Sequence, residues 1–166
     1  MPYEIQYYRC VMQAGYVMVS EEPSLLCSVC GNGVVVVLWD RLRKIGGMAH
    51  CVLPQARFGE KPSNLHADMA VASLVKQMID HTKISDYWEA QLFGGGSQEG
   101  SQNWESKKVV EVIKKLLKKF EIEIVSEDIG GSVGRKVVFN TFSGDVILHK
   151  TRRVRQTDWI AERPSQ

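Results

Sequence analysis

The clearest feature in the pattern of apolar and polar positions is the unbroken run Val34-Val-Val-Val-Leu-Trp39. Continuous β-branched character without polar alternation predicts a strand covered on both faces, and so a strand near the middle of a sheet. Ahead of it, Tyr16 to Val19 is a short β-prone run closed by the polar turn Ser20-Glu-Glu-Pro23, a spacing that predicts a hairpin into Leu25. Behind it, Asp40 to Lys44 is a charged turn, and Ile45 to Leu53 returns as a second strand with His50 in its middle and Pro54 at its end. Gly46 and Gly47 in that strand leave space for another backbone to approach.

The period then changes. Beyond the polar stretch Gln55 to Leu65, the residues Ala67, Ala70, Val71, Leu74, Val75 and Met78 recur at helical spacing, with Ser63 or Asn64 as the expected cap. Tyr87 to Phe93 reads as a strand, and Gly94-Gly-Gly-Ser97 opens a loop reaching to about Asn103. Val109, Val112, Ile113, Leu116, Leu117 and Phe120 form the apolar face of a second helix, with Lys107, Lys108, Lys114, Lys115, Lys118 and Lys119 mostly opposite and Glu111 one turn from Lys115. Glu121 to Ser126 is a further strand. Lys136 to Asn140 and Val146 to His149 form a hairpin about Ser143-Gly144. Two helices and roughly seven strands, paired mainly as hairpins, predict an α+β fold with its helices outside the sheets.

At 166 residues the chain is expected to be a single domain over residues 1–150, followed by a basic tail from Thr151 to Gln166. With 21 basic and 19 acidic residues the net charge is only +2, too small a field to point to nucleic acid or a membrane surface. The beginning MPYEIQYYRCVMQAG has no basic start followed by an apolar block, and no apolar run has the length of a membrane span. A cytoplasmic location with four reduced cysteines is the resulting expectation.

Candidate chemistry concentrates between Cys27 and Leu53, where three of the four cysteines and His50 surround a Gly31-Asn32-Gly33 turn. A thiol and an imidazole brought together make a nucleophile with its base, or two metal ligands. Cys27-x-x-Cys30 with His50-Cys51 contains the elements of a zinc site. Neighbours in a strand point to opposite faces, however, so Cys51 and His50 should not share a metal, and no metal or cofactor is expected. Gly94-Gly-Gly lacks the Lys-Ser or Lys-Thr of a phosphate loop and is expected to be a hinge or close-packing device.

Several of these segments together carry a resemblance. Tyr16-Val-Met-Val with Pro23, VVVVLWD, and Lys44-Ile-Gly-Gly-Met-Ala-His50-Cys-Val-Leu-Pro54 come first. They are followed in order by Asp68-Met-Ala-Val, Phe93-Gly-Gly-Gly, Glu127-Asp128-Ile-Gly130-Gly131 with Gly134-Arg135, Phe139-Asn140 and Ser143-Gly144. From about Tyr16 to about Lys150 the chain resembles the CheD family, the receptor glutamine deamidases of bacterial chemotaxis. The resemblance implies an α/β/β/α-like sandwich with mixed, largely antiparallel sheets, in which a cysteine, a histidine and a threonine converge. In that chemistry the thiolate attacks the side-chain amide carbon of a receptor glutamine and the imidazole carries protons to the departing ammonia. Water then hydrolyses the thioester to leave glutamate. The implied partners are chemoreceptor cytoplasmic helices and a CheC-type phosphatase.

His50 stands at the histidine of that pattern. Counting back without gaps from Asp40 and His50, the nucleophilic cysteine falls on Gly33 and the threonine on Cys27, while the family's Arg-Asn pair at the second helix is Lys107-Lys108. Glycine offers no nucleophile, and loss of a covalent nucleophile removes most of the rate acceleration. Two expectations follow: a CheD-type protein that has lost most or all of the chemistry and acts by binding receptor or phosphatase, or an active deamidase in which Cys27 or Cys30 supplies a displaced thiol to His50.

Overall fold

The computed structural model describes residues 4–97 and 104–152. Nine strands and two helices follow one another as β1 (Tyr8–Met12), β2 (Val17–Ser20), β3 (Ser24–Cys30), β4 (Val34–Asp40), β5 (Ile45–Cys51), α1 (Ala67–Ile79), β6 (Trp88–Gly94), α2 (Trp104–Lys119), β7 (Glu123–Ile129), β8 (Gly134–Asn140) and β9 (Val146–Thr151). They form two sheets, a four-stranded one in the order β1-β3-β8-β9 and a five-stranded one in the order β2-β5-β4-β6-β7.

The valine run sits where its pattern predicts. β4 is flanked antiparallel by β5 and β6, and all seven of its residues are buried. Alternation splits it between two cores. Val34, Val36 and Leu38 pack under the helices with Ala70, Leu74, Val109, Ile113 and Leu117, whereas Val35, Val37 and Trp39 face the other sheet and meet Leu26, Val137 and Phe139. The buried stripe of α1 comprises the six residues whose helical spacing marks them. Gly47 is the close-approach point expected of the Gly46-Gly47 pair, since a Cβ there would stand 2.6 Å from the Met18 carbonyl of the adjoining strand.

The α+β sandwich is present, with two departures from the expectations. Tyr16–Val19 and the strand after Pro23 are not a hairpin: β2 pairs with β5 and β3 with β1 and β8, so the Ser20–Pro23 turn carries the chain from one sheet to the other. The sheets are mixed and largely antiparallel as expected, with two parallel strand pairs, β1 with β3 and β6 with β7. Both helices lie on the same side, α1 against β2, β4 and β5 and α2 against β4 and β7. Among the described residues the layers therefore run helix, sheet, sheet, and the second helical layer of an α/β/β/α arrangement is not found.

Smaller differences are local. The N-cap of α1 is His66, without a side-chain cap bond, while Asn64 Oδ1 accepts from the Ser73 hydroxyl at 2.9 Å. α2 begins earlier than its apolar face suggests, at Trp104, and Lys114 on it pairs with Glu127 at 2.8 Å. The β8–β9 hairpin forms as expected. Most of the expected Gly94–Asn103 loop and of the basic tail, residues 98–103 and 153–166, lies outside the described residues.

Candidate functional site

The inward faces of β3 and β5 bring two polar side chains together in an apolar space. On β5, His50 is the register partner of Val35, which faces the inter-sheet core. Its backbone is held on both sides, the N–H donating to Tyr16 O at 3.1 Å and the carbonyl accepting from Gly15 N at 2.8 Å. On β3, Leu26 and Cys30 belong to the inter-sheet core, and Ser28 between them shares their face. The Ser28 hydroxyl lies 2.9 Å from His50 Nδ1. Both residues are buried, at 1% and 2% exposure.

This pair fixes the imidazole tautomer. Ser28 has one hydroxyl hydrogen and donates it to Met12 O at 2.7 Å. Towards His50 the oxygen can only accept, so Nδ1 carries the ring proton and Nε2 the lone pair. Burial lowers the His50 pKa from 6.5 to about 4, which leaves the ring neutral at pH 7. A neutral imidazole with a free Nε2 lone pair, oriented by a hydrogen bond at Nδ1, has the form of a general base.

Nε2 faces Gly33. A Cβ on Gly33 would stand 2.7 Å from it, 3.0 Å from Val52 Cγ1 and 3.1 Å from Cys51 O. The turn carrying Gly33 is held from the opposite side. Gly95 N donates to Gly33 O at 2.8 Å, Gly96 N to Gly31 O at 3.1 Å, and the Ser106 hydroxyl at the start of α2 to Asn32 O at 2.9 Å. Gly94-Gly-Gly is thus a close-packing strap, and a Cβ on Gly94 would collide with Gly33 O at 2.2 Å. The strap in turn leans on the β7–β8 turn, through Ser97 N to Gly131 O at 2.9 Å and Gly130 N to Gly94 O at 2.9 Å.

The sequence that builds this two-sheet frame is matched by known proteins. Residues 52–150 match the family model described as CheD chemotactic sensory transduction. The chain is 32% identical over 143 residues to the probable chemoreceptor glutamine deamidase CheD of Methanococcus maripaludis strain C6, covering 84% of this chain and 93% of that one. It is 31% identical over 142 residues to the chemoreceptor glutamine deamidase CheD of Thermotoga maritima, covering 84% and 90%. It is 36% identical over 126 residues to the probable enzyme of Thermococcus kodakarensis, covering 72% and 78%. This chain belongs to the CheD family.

The structure brings together His50 and Gly33 of the residues marked by the CheD pattern, and adds Ser28. It does not bring Cys27 to the site. The ungapped count puts Cys27 at the third position of the pattern, but strand parity sends it to the other face of β3, where its thiol lies 3.9 Å from Leu25 O. The side chain on His50 is its neighbour, Ser28. Cys30 does share the inward face, yet its thiol is 0% exposed, 3.9 Å from Phe93 O, and pushed up to about 12 by burial against the weaker opposing pull of Arg135. A thiol held in that form is a poor nucleophile.

The remaining CheD motifs brace the frame. Arg135, 2% exposed, donates to Asp128 Oδ1 at 2.8 and 2.9 Å, to Gly130 O at 2.7 Å and to Val133 O at 3.2 Å. It thereby holds the turn on which the glycine strap rests. Asp40 is fully buried, accepts from Thr82 Oγ1 at 2.6 Å and from the Leu42 and Arg43 amides at 3.0 Å, and closes the β4–β5 turn. Lys107 and Lys108 are exposed, with Lys108 Nζ 5.8 Å from the Trp104 ring centre. Cys51 lies in the helix-side core, on the opposite face from His50. Among the described residues no group of three His, Cys, Asp or Glu side chains could hold a metal ion. Among those residues, too, no helix is long and apolar enough to cross a membrane. Ser28 is the site residue that the sequence reading missed; period-two alternation from Cys30 would have found it, had the inward face of that strand been known.

Proposed function

We propose that this chain is a cytoplasmic chemotaxis protein of the CheD type that binds glutamine-bearing segments of chemoreceptor helices and carries out little or no deamidation through a covalent intermediate. One observation supports this most directly: the residue facing the lone pair of His50 Nε2 is a glycine, in a frame otherwise built for a base. Amide hydrolysis by the CheD route needs a thiolate to attack the amide carbon and hold the acyl group while ammonia leaves. His50 can accept and return a proton, but it has no thiol at Gly33 to activate. Cys27, on the far face of β3, and Cys30, buried with a raised pKa, lend no support to a displaced nucleophile. The CheD resemblance adds a CheC-type phosphatase as a second proposed partner.

The test is to incubate the full chain with a receptor-helix peptide containing a glutamine, following binding by calorimetry and amide-to-acid conversion by mass spectrometry. Saturable binding without conversion is expected. Conversion that disappears in His50→Gln would overturn the loss of chemistry, and absence of binding would overturn the receptor role.

A further inference from the structure

The chain's net charge of +2 is divided unequally. α2 carries six lysines against Glu105 and Glu111, four net positive charges in 16 residues, and the rest of the chain carries two net negative charges. Packing turns those lysines outward. Val109, Ile113 and Leu117 are buried, and Val110, Val112 and Leu116 lie half-buried against the helix-side core. The exposed positions from 107 to 119 are Lys107, Lys108, Glu111, Lys115, Lys118 and Lys119. Lys114 pairs with Glu127, and Lys108 lies over the Trp104 ring. Among the described residues the other four lysines meet no carboxylate, and Glu111 does not pair with Lys115 one turn on. A lysine face that serves only as solvated surface is commonly interleaved with glutamates that pair one turn away. This one leaves its charge unmet.

The face is continuous with the site. At the head of α2 the Ser106 hydroxyl donates to Asn32 O, beside Gly33. A cavity of about 420 Å³, whose walls include Leu53, Pro54, Arg57, Trp104 and Lys108, opens between that head and the segment following β5. At 1.5 Å per residue, Lys115 and Lys119 lie about 14 and about 20 Å further along the axis than Ser106. No exposed aromatic or apolar residue interrupts the lysines from Lys107 to Lys119, so the face has nothing to stack on bases or to insert into lipid. A second helix laid alongside, with carboxylates at the same rise, complements it.

We propose that the lysine face of α2 docks an acidic face of the receptor helix, with carboxylates about 9 and about 13 residues from the glutamine meeting Lys115 and Lys119. The proposal rests on the receptor-binding reading above and adds what selects among glutamines: the charge of the flanking helix rather than the amide itself. Complementary charges at a surface set approach and register more than tightness, so the face governs which glutamine is presented to His50.

The experiment measures binding of the full chain by calorimetry at about 0.05 M salt. One helical peptide carries a glutamine with glutamates about 9 and about 13 residues to either side, and a second has alanine at those glutamates. The glutamate peptide is expected to bind about tenfold more tightly, and the difference to vanish in Lys115→Glu combined with Lys119→Glu, and at about 0.5 M salt. Both lysines are exposed, so the charge-reversed chain should unfold at the natural temperature. Equal binding of the two peptides by the natural chain, or a difference that survives the charge reversal, would overturn the docking face while leaving receptor binding intact. Tighter capture of anionic phospholipid vesicles or of a DNA oligomer than of the glutamate peptide, lost on charge reversal, would also overturn it and assign the face to another polyanion. No binding of either peptide would overturn both readings.

Discussion

Ser28 accepts a hydrogen bond from His50 Nδ1 at 2.9 Å because its own hydrogen is committed to Met12 O at 2.7 Å. A serine on one sheet thereby sets the protonation of a histidine on the other, and turns the lone pair of the ring towards Gly33.

Removing that hydroxyl should be felt in both tautomer and stability. Ser28→Ala leaves a buried Nδ1–H without its acceptor, at a cost of ~1–3 kcal/mol. Urea unfolding should show the loss, and the ¹⁵N shifts of His50 should change from a single Nδ1–H form to a mixture. Wild-type-like ring shifts in Ser28→Ala would show that the serine does not set the tautomer.

The lowered pKa of His50 predicts an acid-sensitive fold. Its folded value of about 4 lies below the ordinary 6.5, so between these limits the unfolded chain binds the extra proton. The contribution is fully present above pH 6.5 and is lost as pH falls through about 4, to an extent of about 3 kcal/mol. Urea midpoints measured from pH 7 to pH 4 should fall along this course in the natural chain and fall less in His50→Gln. Identical slopes would place the acid sensitivity elsewhere.

Two of the thiols, those of Cys30 and Cys51, should be inert in the native state. Cys30 and Cys51 are both 0% exposed with pKa values pushed up to about 12 by burial, so iodoacetamide at neutral pH should label them far more slowly than a free thiol and at full rate only after unfolding. Rapid native labelling of Cys30 that requires His50 would instead support a displaced nucleophile.

Arg135 should matter for the frame. Its guanidinium joins Asp128, Gly130 O and Val133 O while almost wholly buried, and Arg135→Ala should destabilise the protein by ~3–5 kcal/mol. Arg135→Lys should recover little, since an ammonium cannot span three acceptors in a plane. Thermal unfolding of both variants measures this.

Much of the fold was legible because its signals are local. The valine run announced a doubly covered strand, and the six-residue stripe of α1 its buried face. The partners of β2 and β3 were not legible, since a turn such as Ser20–Pro23 reads alike whether it closes a hairpin or crosses between sheets. β1 was missed for a related reason: its parallel pairing with β3 leaves no turn signal. At the site, Gly33 was marked by the CheD pattern counted back from Asp40 and His50, whereas Cys27 and Ser28 differ by one residue and hence by a whole face of the sheet. Parity depends on which side of β3 meets the second sheet, and that is a tertiary fact.

The central claim is that a CheD frame surrounds His50 with glycine in place of the thiol. Gly33→Cys tests it most directly. The new Cβ would stand 2.7 Å from His50 Nε2, so the ring must shift, and 3.0 and 3.1 Å from Val52 Cγ1 and Cys51 O, at a cost of ~1–3 kcal/mol. Mass spectrometry of a glutamine-bearing receptor-helix peptide should then show amide-to-acid conversion by Gly33→Cys, none by the natural chain, and none by Gly33→Cys combined with His50→Gln. Equal conversion by the natural chain and Gly33→Cys would contradict the account, as would a folded Gly33→Cys protein that binds the peptide and leaves its amide intact.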